Sequence, residues 1–408
     1  MSLPALKPLK APYLPYGRQV IEEDDIAAVA AVLRGDYLTT GPMAGRFEAA
    51  LAESVGTKHA VVCANGTAAL YLAARALDLG PGTKIIVPAI TFLATASAPH
   101  LNGAEIVFAD VDPDSGLMRP QDLKEAIARA GKADALFNVH LNGQCGAIED
   151  IAKIARAHGL KIIDDACHAL GASYIATDSS RSLIGQNEFC DLSVFSFHPV
   201  KAIAMGEGGA VTTNDPQWAA RLWRQRNHGM TREACDFEQA ADAFDETGRA
   251  NPWYYELPEP GFNWRASDLQ CALGLSQLSK LQRFLKTRRA LAAQYDALLA
   301  PYAPLIKPIA RQRECLPAWH LYVALIDFAA CGISRAKTMR RLAEAGIGSQ
   351  VHYFPVYRQP YYAARYSTPE LAGAERYYAH ALSLPFFASM TREDPVRVVR
   401  SLTQILNL

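Results

Sequence analysis

Three short runs in this 408-residue chain carry side chains that could do chemistry, two of them with glycine. The first, Ala64-Asn65-Gly66-Thr67-Ala68, follows an apolar run and opens a helical pattern. Free N–H groups at a helix start, with the positive end of the helix behind them, can hold a phosphate. Asn65 or Thr67 would serve equally as a plain N-cap. The second, Asp164-Asp165, ends the run Leu160-Lys161-Ile162-Ile163 and precedes His168. Carboxylates there either turn the chain or face a ligand. The third places Lys201 after Ser196-Phe197-His198-Pro199-Val200 and before Gly206-Glu207-Gly208-Gly209. A lone loop lysine is usually solvated, but one shielded from water has a depressed pKa and can attack a carbonyl to form a Schiff base. The glycines beside it leave room for a flat group.

An anion site, a strand-end carboxylate and a later lysine together fit pyridoxal 5′-phosphate. That cofactor needs a phosphate cradle, a partner that keeps its ring nitrogen protonated, and a lysine for its aldehyde. Signals for other chemistry are missing: there is no G-x-G-x-x-G, and Gly80-Pro81-Gly82-Thr83-Lys84 is not a Walker loop. H-E-x-x-H and G-x-S-x-G are absent too.

The three runs must lie at the carboxyl ends of strands in an open α/β sheet, where ligands bind. Short β-rich runs alternate with helical patterns from residue 57 to 215, the signature of a parallel sheet covered by helices. The expected strands are His59–Cys63, Lys84–Val87, Glu105–Ala109, Ala135–His140, Lys161–Asp165, Leu192–Phe197 and Gly209–Thr213. Upstream, Ile26, Val29 and Leu33, then Met43, Phe47, Leu51 and Val55, give two amphipathic helices separated by Gly41-Pro42. Residues 229–262 lack periodicity and read as a long loop. A long helix from Ala266 towards Leu299, with Leu269, Leu273, Gln277, Leu281 and Phe284 along one side, links to the rest. There, strands at His320–Phe328 and Gly348–Tyr353, a helix at Ser334–Ala345 and a last helix from Thr391 predict a smaller α+β domain. The expected division is 1–265, a large cofactor-binding domain with an N-terminal arm, and 266–408, the linking helix and small domain.

Composition narrows the partners. The 41 basic residues balance 41 acidic ones and no Lys/Arg run stands out, which argues against nucleic-acid binding through a large positive field. The apolar stretch Ile85–Pro99 is interrupted by Thr91, Thr95 and Ser97 and is too short to span a membrane. The proline-bearing N-terminus has no apolar core of a signal peptide. Eight cysteines without a C-x-x-C pair suit free thiols in a reducing cytoplasm, with neither a metal site nor a disulfide frame.

From about residue 13 to 406 the chain resembles the DegT/DnrJ/StrS nucleotide-sugar aminotransferases. The most specific string is Ser196 to Lys201 with Gly206-Glu207-Gly208-Gly209-Ala210-Val211-Thr212-Thr213. Supporting strings are Pro88-Ala89-Ile90-Thr91-Phe92, Asp164-Asp165-Ala166-Cys167-His168 and Gly261-Phe262-Asn263-Trp264-Arg265. The resemblance implies a type I pyridoxal-phosphate (aspartate-aminotransferase-like) α/β fold: a mostly parallel sheet in a large domain, plus a smaller α+β C-terminal domain. It makes Lys201 the Schiff-base lysine, Asp165 the partner of the pyridine nitrogen and His168 a neighbour of the phenolic oxygen, with Phe92 stacking on the ring. Phosphate contacts fall to Gly66, Thr67, Ala68 and Ser196, with Asn263 reaching in from a second subunit, so a homodimer with shared active sites is implied.

Within the family, the strings around Tyr16, Tyr37 and His352 look most like members of the pseudaminic-acid pathway. Their substrate would be a UDP-linked 4-keto-6-deoxy-N-acetylhexosamine, aminated at C4 with L-glutamate as donor. Tyr16, Tyr37, Thr39, Thr40, Arg265, His352 and Tyr353 would then line the sugar site. Two departures stand out: Ala204-Met205 replaces the usual Thr-Thr pair, and residues 176–182 look like an insertion. Rival readings are a family dehydratase, which has His in place of Lys201; an aminotransferase for another keto position or nucleotide; and a non-catalytic sensor retaining the fold.

Overall fold

A computed structural model describes residues 12–408; the proline-bearing stretch before them lies outside the described residues. Seven strands form the large sheet in the order His59–Cys63, Gly209–Thr213, Leu192–Ser196, Lys161–Asp165, Ala135–Val139, Lys84–Pro88, Glu105–Ala109. Gly209–Thr213 alone runs against its neighbours. The other six strands point the same way. Most of their residues are buried, as expected of strands covered on both faces. Their carboxyl ends therefore meet along one edge. Register fixes the neighbours there: Asp165 lies between Val139 and Val194, and Gly209 between Cys63 and Ser196.

The segment read as an insertion is the turn and the start of the second strand of a hairpin, Ser173–Ile175 with Arg181–Leu183, whose first strand also pairs with Cys315–Leu316. The expected long helix is two, Asp268–Ser279 and Leu281–Leu299, meeting at Lys280. Ser267 starts the first with a reciprocal cap to Gln270. Its buried side carries Cys271, Gly274, Gln277 and Leu278, whereas Leu269 and Leu273 are half-buried.

The first helix, Glu23–Leu33, docks differently from its apolar pattern. Ile26 and Leu33 are exposed, and the buried residue is Asp25. Its carboxylate accepts from Ser276 Oγ at 2.6 Å and Gln277 Nε2 at 2.7 Å, and pairs with Lys280 Nζ at 2.9 Å. A polar cluster holds this helix, leaving Ile26 and Leu33 exposed within the chain and Val29 half-buried.

A second sheet has the order Ile306–Pro308, Tyr322–Ile326, Ala381–Leu384. The expected strand at Gly348–Tyr353 makes only an isolated bridge, Gln350 with Ser383. Gly348 gives its N–H to Leu14 instead, at 2.7 Å, so the segment leaves the sheet edge. Helices Arg335–Glu344, capped by Ser334, and Glu393–Leu406 match the expected pair. One apolar cluster runs from Val87 and Phe137 of the large sheet to Tyr322 and Leu382 of the small one. Among the described residues no helix is long and apolar enough to cross a membrane.

Candidate active site

A cavity of about 700 Å³ opens where the strand ends meet. Its floor is built by close backbone approach. A Cβ on Gly209 would lie 2.3 Å from the Asn65 carbonyl oxygen, and one on Gly66 would lie 2.9 Å from Ser196 Cβ. Glycine at both positions lets the Asn65–Thr67 turn rest beside Ser196. Asn65 caps helix Gly66–Ala76 by accepting the Ala68 N–H at 2.9 Å. That N–H is thus engaged and Ala68 is off the cavity wall, while Gly66, Thr67 and Ser196 line it.

The adjacent aspartates diverge because successive strand side chains point to opposite faces. Asp165 faces the cavity, accepting from Thr95 Oγ1 at 2.6 Å and from the Cys167 N–H at 3.2 Å. Asp164 turns to the other face and meets His140 Nε2 at 3.0 Å. The charge of Asp164 contributes to raising the His140 pKa against the opposing effect of burial.

Lys201 stands in a loop closed by two backbone bonds, Phe197 N–H to Gly208 O and Met205 N–H to Phe197 O. Burial lowers the pKa of its amine, opposed by nearby Cys167 and Asp165. A larger neutral fraction makes it a better nucleophile. Where Ala204-Met205 departs from the family pattern, Gln277 Oε1 accepts the Ala204 N–H at 3.3 Å, and the Met205 sulfur fills the space above Gly208 and Gly274. The loop therefore keeps a hydrogen-bonded and packed support.

His168 is held from two sides. The Asn142 N–H donates to its Nδ1, and its Nε2 lies 3.2 Å from the Tyr353 hydroxyl. Burial, with the Lys201 charge adding to it, holds its pKa well below the ordinary histidine value. Phe92 is 54% exposed at the cavity wall, so core packing does not account for it. Tyr16, His352 and Tyr353 line the same cavity. His352 bonds Ser383 Oγ at 2.7 Å, and burial pushes its pKa down to about 3.

Besides Ala68, five expected site residues are absent from the wall of this chain's cavity: Tyr37, Thr39, Thr40, Asn263 and Arg265. Alternation explains the last two. Phe262 and Trp264 stack at 4.0 Å and both pack edge-on against Tyr71, so Asn263 projects outward and Arg265 turns to Asn227. Sequence reasoning missed two contributors. His320 lines the cavity with its ring 4.3 Å from that of His168, and Thr95 bonds Asp165. Thr95 follows Thr91 by one helical turn, and the two hydroxyls bond at 2.8 Å; that spacing was the available signal.

Residues 19–403 match the DegT/DnrJ/EryC1/StrS aminotransferase family. The chain belongs to that family. It is 34% identical over 397 residues to the spore coat polysaccharide biosynthesis protein SpsC of Bacillus subtilis (strain 168), covering 97% of both chains. Among solved structures it is similar to Helicobacter pylori PseC, an aminotransferase of pseudaminic-acid biosynthesis (TM-score 0.86, 30% identity, 97% of this chain and 99% of that one). It is also similar to a putative sugar aminotransferase of Streptococcus pneumoniae in its PLP form (TM-score 0.83, 25% identity, 97% and 99%).

The DegT/DnrJ/EryC1/StrS family makes the chain a sugar aminotransferase with a type I fold, and its cofactor is pyridoxal 5′-phosphate. The residues present fit that cofactor. The glycine-built turn at Gly66 and Ser196 offers a phosphate cradle, Asp165 an anion for the ring nitrogen, and Lys201 a shielded amine.

Proposed function

We propose that this sugar aminotransferase carries an amino group from L-glutamate to C4 of a UDP-linked 4-keto-6-deoxy-N-acetylhexosamine, a precursor of the pseudaminic-acid type, in the cytoplasm. The observation that carries the chemistry is the sharing of one cavity by Lys201 and Asp165, with His168 and Phe92 on its walls. Bound there, pyridoxal 5′-phosphate supplies an electron sink for the substrate carbanion. The Lys201 amine would take and return a proton at the substrate carbon as general base and acid. Asp165 would hold the ring nitrogen protonated, its own carboxylate fixed by Thr95 and the Cys167 N–H. Tyr16, His352 and Tyr353 flank the open side and suit a polar sugar. The likeness to PseC supports the choice of sugar.

A homodimer with shared sites belongs to the same proposal, with Asn263 completing the phosphate contacts and Arg265, Tyr37, Thr39 and Thr40 reaching the nucleotide-sugar of the partner subunit. In support, the chain exposes Ile26, Leu33, Tyr37, Leu38 and Trp253, apolar side chains that a second subunit would cover. Arg265 has a planar fork suited to a diphosphate.

The test is incubation of cofactor-loaded protein with glutamate and a panel of nucleotide keto-sugars, with products identified by mass spectrometry and NMR. A 4-amino product from the UDP-linked 4-keto sugar is expected. Amination only at another carbon, or only of sugars on another nucleotide, would overturn the substrate assignment. A cofactor spectrum that glutamate leaves unchanged would overturn the donor.

A further inference from the structure

Behind the active site, Cys145 and Cys315 meet across 170 residues of chain. The Cys145 N–H donates to the Cys315 sulfur at 3.2 Å, and the Cys145 sulfur lies 3.9 Å from the Ser173 carbonyl oxygen. The two sulfurs differ in access. Cys145 is fully buried, whereas Cys315 forms part of the wall of a separate surface cavity of about 220 Å³ with Gln144, Arg289, Gln312 and Trp319. Their acidities differ as well: the neighbouring Cys145 lowers the Cys315 pKa against burial, with the charges of His140 and Arg289 adding to it, while Cys315 and burial push the Cys145 thiol up. Thiolate character and access together select the sulfur that peroxide oxidises first.

We propose that Cys145 and Cys315 form a reversible disulfide under peroxide, with Cys315 attacked first through its cavity. The Cys315 thiolate takes one oxygen from hydrogen peroxide, giving a sulfenic acid and hydroxide. The Cys145 thiol then attacks that sulfur, forming the S–S bond and releasing water, so the two thiols are oxidised as the peroxide is reduced. A thiol reductant reverses the bond by exchange. The bond would join two segments that meet at His168. Cys145 follows the Asn142–Gly143 turn, whose Asn142 N–H bonds His168. Cys315 precedes the stretch in which Ala318 and His320 donate to the Gly143 and Asn142 carbonyls, at 2.9 and 3.0 Å.

The test treats the cofactor-loaded protein with graded hydrogen peroxide, alkylates the remaining thiols and maps peptides by mass spectrometry. A linked peptide containing Cys145 and Cys315, lighter by two hydrogens and lost on adding a thiol reductant, is expected at doses that leave exposed Cys235 largely reduced. In a Cys145→Ser variant, Cys315 should accumulate as a sulfenic acid trapped by dimedone. If both thiols stay free at doses that oxidise Cys235, or if Cys315 passes to sulfinic acid with no linked peptide, the inference is wrong.

Discussion

The backbone N–H of Asn142 donates to Nδ1 of His168 at 3.2 Å, which leaves the ring proton on Nε2, facing the Tyr353 hydroxyl at the same distance. Since burial keeps this histidine neutral, its donor direction is fixed. Tyr353→Phe removes the acceptor and should lower kcat about 5-fold, the equivalent of about 1 kcal/mol for one hydrogen bond. The rate profile of the wild type should show no histidine limb between about pH 5 and 8. A limb in that range that vanishes in His168→Gln would contradict the neutral assignment.

Lys201 should be the point of covalent attachment. Because burial lowers its pKa, attachment should proceed at lower pH than for an ordinary lysine of pKa about 10.4. Borohydride should fix the cofactor on the Lys201 peptide, and Lys201→Ala should abolish both the label and turnover. Label on any other lysine refutes this.

Asp165→Asn and Asp164→Asn should separate catalysis from stability. Asp165 faces the cavity, and its loss should cost about 10²- to 10³-fold in kcat, as for other electrostatic groups acting at a reacting centre. Asp164 pairs with buried His140, so its loss should destabilise by about 3 kcal/mol with a smaller rate effect. Urea unfolding and steady-state kinetics on both variants decide the matter, and a larger kcat loss in Asp164→Asn would reverse the roles.

The His140 pair should also leave a pH signature. The folded pKa of His140 is raised, so its contribution is fully present below the unfolded value of about 6.5 and is lost as pH rises through the folded value. The stability gap between wild type and His140→Asn should be widest near pH 6 and shrink in alkali. A gap that widens with pH, measured by denaturant unfolding, would show that the histidine is neutral when folded.

Subunit mixing tests the shared site. Lys201→Ala and Asn263→Ala proteins should each be impaired, and exchange between them should regenerate one intact site per mixed dimer. Activity that stays at the level of the separate variants despite demonstrated exchange would place the site within one chain.

The strings that meet at the cavity were legible because their signals are local. Alternation at Asp164-Asp165 puts one carboxylate on each face of a strand, and the glycines at 66 and 208–209 mark close backbone approach wherever the fold carries them. The seven strands of the large sheet were legible for the same reason, each a short apolar run with turn residues beyond it. Other features depend on what lies across space. Residues 348–353 have strand character, yet Gly348 bonds Leu14 and the segment bends into the cavity wall. The apolar stripe of the first helix predicted a buried face, but Asp25 found Ser276, Gln277 and Lys280, and Ile26 and Leu33 stayed outside. His320 reaches His168, and Cys315 reaches Cys145, only because the chain after the Leu281–Leu299 helix returns to the Asn142–Gly143 turn. A side chain's period is set by its own backbone, whereas its partner is set by loop closure over a hundred residues or more, and that is decided by the packing of the whole chain.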